Sequence, residues 1–273
     1  MEKLYFTPER NIYMKADYKN WVPKGMIYGL GAAAIGLSGA ALLAKQTANG
    51  VIKSIGTGVL GAGAIGCGIF TAWCIYANNQ FSYNGKRKLS KDIIEGTAEY
   101  ITLPEGGIGL DVGCGSGALT IACAKRNPQG TMVGIDRWGK EYASFSQSLC
   151  EQNAQAEGIC NTNFQKGDAC KLEFADDTFD AVTSNYVYHN IVGKNKQDLL
   201  RETLRVLKKG GTFAIHDMME PVRYGDMEQF IEELKAEGYE DVQLVSTTDG
   251  KFMSKKEARI MMLAGSMLLV GKK

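Results

Sequence analysis

The stretch Gly109-Leu-Asp-Val-Gly-Cys-Gly-Ser-Gly117 decides how the rest of the chain is read. An apolar run ends in an acid, Asp111, and passes into glycines at alternate positions, Gly113, Gly115 and Gly117. Ala118 to Arg126 follow with helical spacing of their apolar residues. A strand, a glycine turn and a helix bring backbone N–H groups and a helix N-terminus close to a ligand. Glycine suits such a turn because some φ angles there are positive and a Cβ would hold the ligand off.

Downstream spacing sharpens this reading. Asp136 closes a second apolar run, Gly130 to Asp136, 19 residues beyond Gly117 (136 − 117). An acid at that distance suits ribose hydroxyls. Gly167-Asp168-Ala169 follows a third run, Thr162 to Lys166, and Phe179 to Ser184 forms a fourth that exits through Asn185-Tyr-Val-Tyr-His189. The third glycine of the turn comes one residue too early for the dinucleotide fingerprint G-x-G-x-x-G. Leu110 to Gly117 instead resembles motif I of the class I S-adenosylmethionine-dependent methyltransferases. Gly167-Asp168-Ala169 is similar to that family's G-D-A motif, and the fourth-run exit is similar to its motif IV. Leu204-Arg-Val-Leu-Lys-Lys-Gly-Gly211 resembles its R-V-L-K-P-G-G turn, with Lys209 in place of the proline. The resemblance covers about residues 89–273 and lies nearest the ubiquinone/menaquinone-biosynthesis-like branch.

The resemblance implies an α/β, Rossmann-like class I methyltransferase fold, a seven-stranded, mostly parallel sheet with helices on both faces. It also implies S-adenosylmethionine as cofactor. The expected cofactor residues are Asp111, Gly113, Cys114, Gly115 and Gly117 in the first motif and Asp136 with Arg137 and Trp138 after the second strand. Gly167, Asp168 and Ala169 follow the third strand, and Asn185 the fourth. Trp138 either covers an adenine face or packs at a helix start. Methyl transfer from a sulfonium mainly needs alignment and exclusion of water, with a base only where the acceptor carries a tightly held proton. The chain has two histidines. His189 is the first candidate base, and His216, with Asp217 beside it, the second; either could equally be an orienting hydrogen-bonder. Tyr186 joins them as an expected catalytic neighbour.

The remaining strands and helices alternate as a parallel sheet requires. Expected helices are Leu89 to Ile101, Gly139 to Gly158, Lys196 to Leu207, Met227 to Glu237 and Ser254 to Leu263. Expected strands are Thr212 to His216, Val242 to Ser246 and Ser266 to Val270, the Gly210-Gly211 pair turning the chain into the first of these.

Ahead of this domain lie two uncharged runs, Met26–Ala44 and Ser54–Asn79. Each is long enough to cross a hydrocarbon core of ~30 Å as a helix. Small residues recur every four positions (Ala32, Gly36, Ala40, Ala44; Gly58, Ala62, Gly66), a spacing that lets helices approach closely. The expected organisation is an N-terminal segment 1–25, a transmembrane hairpin 26–80 turning near Asn49-Gly50, and a methyltransferase domain 81–273. Gly61-Ala-Gly63-Ala-Ile-Gly66 matches G-x-G-x-x-G by letter, yet it sits inside an apolar span with no strand before it, so it reads as helix packing.

Basic residues outside the hairpin (Lys3, Arg10, Lys15, Lys19 and Lys24 before it, Lys86, Arg87, Lys88 and Lys91 after it) outnumber the Lys45 and Lys53 of its turn. The positive-inside rule then puts the catalytic part on the cytoplasmic side of the inner membrane. Trp21, Tyr28, Trp73 and Tyr76 suit the interfacial belts.

Thirty-one basic and 30 acidic residues leave a net charge of +1, which gives no field for nucleic acid. Seven cysteines without a C-x-x-C pair read as reduced thiols, with no metal site expected. The expected partners are a small-molecule acceptor and the lipid bilayer, with a homodimer through the hairpin as an option. Two rival readings share these features: a cofactor-binding sensor or scaffold that transfers nothing, and a phospholipid methyltransferase.

Overall fold

The computed structural model describes residues 15–47, 49–139 and 144–273. The chain divides into two compact units, Lys19–Asp92 and a larger one made of the segment ending at Tyr18 together with Ile93–Lys273.

The smaller unit is built on two helices, α1 (Lys24–Thr47) and α2 (Gly50–Phe81). Both are long and apolar enough to cross a membrane, with a mean hydropathy of 1.7 over their most apolar windows, and little of either is buried. They run antiparallel: Gly31 lies opposite Thr71, and Gly63 opposite Leu37. The contacting face of α1 carries Ile27, Leu30, Ala34, Leu37, Ala41 and Ala44, a seam with a period near 3.5. The four-residue small-residue stripe meets this seam only at Ala44. No neighbouring atom lies within 4 Å of where a Cβ would sit on Gly36, Gly58 or Gly66. The larger side chains Ile27, Leu30 and Leu37 alternate along it with Ala34, Ala41 and Ala44. The outer faces expose Ile35, Leu42, Val59, Ile65 and Ile69.

In the larger unit seven strands form one sheet: β1 (Ile108–Val112), β2 (Thr131–Asp136), β3 (Thr162–Lys166), β4 (Phe179–Asn185), β5 (Leu207–Met218), β6 (Glu240–Ser246) and β7 (Ser266–Lys272). Their order is β3-β2-β1-β4-β5-β7-β6. The first five pair in parallel, and β7 runs antiparallel to β5 and β6. The order reverses between β1 and β4, and open α/β sheets bind ligands outside the carboxyl ends of the strands at such a point. Beside α3 (Leu89–Ala98), the helices are α4 (Ala118–Arg126), α5 (Gln147–Ala156), α6 (Lys196–Arg205), α7 (Pro221–Tyr224), α8 (Met227–Ala236) and α9 (Lys255–Ile260). The core joins Leu110, Val182, Phe213 and Ile215 of the sheet to Leu200 of α6 and Phe230 of α8. β1 and β4 lie at the centre of the sheet, with four of five and five of seven residues buried.

Several boundaries differ from the expected ones. Residues 140–143 of the anticipated Gly139–Gly158 helix lie outside the described residues; α5 begins at Gln147, where the Ser146 hydroxyl accepts from the Leu149 N–H as an N-cap. β5 starts at Leu207, five residues early. The register slips between Phe179–Leu207 and Ala181–Thr212, so Gly210 and Gly211 form a bulge within the strand instead of a turn ahead of it.

Leu110, fully buried at the centre of β1, gives a direct check on this core. Leu110→Ala is expected to destabilise the domain by about 3 kcal/mol in a urea titration. Val192→Ala, at a side chain 93% exposed, is expected to change it by less than ~0.5 kcal/mol.

Candidate active site

The glycine turn leaves β1 and enters α4. Gly113, Gly115 and Gly117 all have positive φ (75°, 56° and 80°), so each favours glycine on conformation alone. Their surroundings divide them. A Cβ on Gly113 would come within 2.3 Å of Val187, and one on Gly117 within 3.1 Å of Phe164. These two glycines let the chain pack against itself. At Gly115 the nearest atom to such a Cβ is the Phe145 ring, 3.8 Å away. Gly115 therefore presents open space, a cradle that a side chain would fill.

Two carboxylates hold the turn. Asp111 is buried beneath it and accepts the Thr120 hydroxyl at 2.6 Å. Burial, only partly offset by the Thr120 hydrogen bonds, raises its carboxyl to about 7. Asp136, at the carboxyl end of β2, accepts the Gly115 N–H at 2.9 Å through Oδ2 and the Trp138 N–H at 2.8 Å through Oδ1. The Trp138 indole N–H donates to the Gly115 carbonyl at 3.0 Å. Trp138 thus braces the glycine turn, and its positive φ of 43° is part of that brace. Arg137 is exposed beside it.

Cys114 is buried and takes its place through its backbone N–H, which donates to the Ile135 carbonyl. Burial and then the neighbouring Cys150 push its thiol well above the ordinary range. Gly167, whose N–H donates to the Asp136 carbonyl, starts the turn after β3. Asp168 is exposed in that turn and accepts the Cys170 N–H at 2.8 Å, while Ala169 packs on the core.

The β4 exit and the end of β5 carry the second half of the site. His189 stands in a short 3₁₀ turn, Tyr188–Asn190. Its Nδ1 lies 2.6 Å from Asp217 Oδ1, and its backbone N–H donates to Asp217 Oδ2 at 3.1 Å. An ionised carboxylate only accepts, so Nδ1 carries the proton and Nε2 is the basic nitrogen. Asp217 has no exposed side-chain surface. Burial works to raise its carboxyl, but the hydrogen bonds and charge of His189 outweigh this and hold it below the ordinary value.

His216 is placed quite differently. It is buried, with Nδ1 2.8 Å from Asn185 Oδ1 and Nε2 3.0 Å from Thr247 Oγ1. Burial lowers it to about 3, the Asp217 charge opposing only weakly. This histidine stays neutral and fixed, the placement of a structural hydrogen-bonder and not of a proton acceptor open to substrate. Asn185 is committed to it. Tyr186, with φ 54°, bonds Ser266 Oγ at 2.6 Å, and burial raises its hydroxyl.

Sequence spacing paired Asp217 with its neighbour His216. Successive strand residues point to opposite faces, so the two cannot share a partner, and Asp217 reaches His189 instead. Thr120 beneath Asp111 was also missed. A hydroxyl in the first turn of the helix that follows a buried acid was the available signal.

This combination of sheet order, glycine turn and acid-ended strands defines a class I methyltransferase domain. A family model described as "Methyltransferase domain" matches residues 105–265, more than half the chain, so the chain belongs to that family and to its S-adenosylmethionine-dependent class. It is 31% identical over 159 residues to a demethylmenaquinone methyltransferase of Lactobacillus johnsonii (55% of this chain, 63% of that protein). It is 33% identical over 133 residues to a 2-phytyl-1,4-naphtoquinone methyltransferase of Thermosynechococcus vestitus (48% and 55%). The chain thus spans less than two thirds of the length of these relatives. In fold it resembles a geranyl diphosphate methyltransferase solved with GPP and sinefungin, at TM-score 0.52 and 12% identity over 68% of this chain and 79% of that one.

Two outcomes follow from the turn. Gly113→Ala is expected to lower the melting temperature several degrees through its clash with Val187, while Gly115→Ala costs only the ~1 kcal/mol of a left-handed alanine. Asp111 gives a pH signature. Its folded-state carboxyl lies above the unfolded value, so the stability it contributes is complete below about pH 4 and lost as pH rises through about 7. Denaturation across that window should show the decline in the wild type and a flatter profile in Asp111→Asn.

Proposed function

We propose that this protein is a membrane-anchored methyltransferase that moves a methyl group from S-adenosylmethionine to a small, apolar acceptor of the quinol type. The observation that carries the reading is the His189–Asp217 pair, 2.6 Å apart at the carboxyl end of the sheet beside the switch point. Imidazole titrates near neutrality, and a buried carboxylate fixes its tautomer and steadies the imidazolium that forms. Two relatives named for naphthoquinone-type substrates support the acceptor class.

The residues present fit the cofactor. Gly115 leaves room for it, Asp136 offers carboxylate oxygens for ribose hydroxyls, and the turn at Asp168 stands at the same end of the sheet for the adenine. Trp138 and Arg137 border the ribose position, and Asp111 holds the turn from below. When bound, S-adenosylmethionine supplies an electrophilic methyl on a sulfonium. His189 Nε2 takes the acceptor hydroxyl proton as the ring becomes nucleophilic, and Asp217 holds that imidazole in line. Tyr186 forms the neighbouring wall, its ring edge-on to His189 at 6.0 Å. His216 and Asn185 keep the β4 exit rigid.

The hairpin is read as an anchor. Its exposed aliphatic faces are costly in water and at home in lipid, and its basic flanks favour a cytoplasmic catalytic domain. Apolar acceptors partition into the same bilayer.

The test uses the full chain in nanodiscs with methyl-labelled cofactor and a membrane lipid extract. A labelled quinol-type product, identified by mass, is expected; label on phospholipid or on nothing would contradict the reading. His189→Gln is expected to lower kcat about 10²- to 10³-fold with the cofactor KM unchanged. Asp217→Asn should lower it less, and steady-state kinetics on both variants reads the difference.

A further inference from the structure

Tyr224 closes α7 and is 2% exposed, yet among the described residues its hydroxyl has no hydrogen-bond partner. Buried polar groups are paired in the great majority of cases, and an orphan needs an explanation. The contrast with Tyr188 is direct, since that equally buried hydroxyl bonds Thr203 Oγ1 at 2.6 Å. The hydroxyl of Tyr224 lies beside Asp217: burial and then the Asp217 charge push it well above the ordinary phenol range.

Asp217 has room for it. Oδ1 accepts from His189 Nδ1 and from the Met218 N–H at 2.7 Å, whereas among the described residues Oδ2 receives only the His189 N–H at 3.1 Å. A carboxylate offers about four lone-pair sites, so Oδ2 can take another donor. The backbone around Tyr224 is fixed, because Gln197 Nε2 donates to its carbonyl at 2.9 Å and its own N–H donates to the Glu220 carbonyl.

We propose that Tyr224 is a positioning residue of the reaction, its hydroxyl donating to Asp217 Oδ2 and so setting the basicity of His189 through the shared carboxylate. This rests on the role proposed for His189. A fourth donor spreads the carboxylate's charge and weakens its hold on an imidazolium, which keeps His189 free of a proton at lower pH. Other titratable groups bear on the pair: Tyr186 and Tyr188 at the β4 exit, His216 in β5, and Arg223 in α7, with Asp111 in β1 reaching Tyr188. Each has a different partner or lies outside the pair, and among the described residues around it Tyr224 has the unused donor.

The experiment is an NMR titration of the full chain in nanodiscs with isotope-labelled histidine and no substrate. Only two histidines exist, and His189→Gln assigns the signals. Tyr224→Phe is expected to raise the His189 midpoint by about half a pH unit to one unit and to move the acid limb of kcat/KM with it. Tyr188→Phe removes an equally buried hydroxyl that is bonded elsewhere, and is expected to leave the midpoint in place. Should Tyr224→Phe fold poorly, 3-fluorotyrosine at position 224, a stronger donor, is expected to lower the midpoint. An unchanged midpoint with either replacement at 224, or an equal shift in Tyr188→Phe, would overturn the proposal. The midpoint is read without turnover. A failure of the base role would instead appear as full activity in His189→Gln.

Discussion

The hydrogen bond from the Gly115 N–H to Asp136 Oδ2 ties the end of β1 to the end of β2, and the candidate site is built around that tie. It can form only because the chain passes through three left-handed residues between β1 and α4. The outer two let the turn pack against Val187 and Phe164; the middle one leaves open space beside it. Trp138 closes the same loop from outside, taking one oxygen of Asp136 and giving its indole N–H to Gly115. Beneath, Asp111 is held with Thr120 in a setting that disfavours its charge. The turn is thus fixed by carboxylates on both sides, one at the carboxyl end of β2 and one buried.

The second half of the site follows from how a strand displays its residues. His216 and Asp217 are adjacent in β5, and alternation sends them to opposite faces. On one face His216 closes a buried network with Asn185 and Thr247, where a proton would cost more than it returns. On the other, Asp217 reaches the 3₁₀ turn after β4 and orients His189. The two histidines of this chain are therefore held differently for a geometric reason, one in the 3₁₀ turn after β4 and one within β5.

Much of the fold was legible because it is written locally. The β1–turn–α4 unit is dictated by glycine conformation and apolar spacing within twenty residues, and Asp136 follows from strand length. Features that depend on register were not legible. The His189–Asp217 pair spans 28 residues and exists because Asn185 pairs with His216 across β4 and β5. The early start of β5 comes from a bulge that no composition signal announces. In the hairpin, glycines every four residues suggested a smooth contact face, while the observed seam follows the larger side chains Leu30 and Leu37. Periodicity located the helices but not which stripe would pair.

The central claim is that the rim of the sheet, between the glycine turn and Asp136, grips a sulfonium nucleoside. Calorimetric titration of S-adenosylhomocysteine into the full chain, wild type and Asp136→Ala side by side, tests it most directly. Tight binding by the wild type and a loss of at least roughly tenfold in the variant is the predicted result, since a charge-assisted pair of hydrogen bonds is removed. Equal affinity in the two proteins, or none in the wild type, would contradict it.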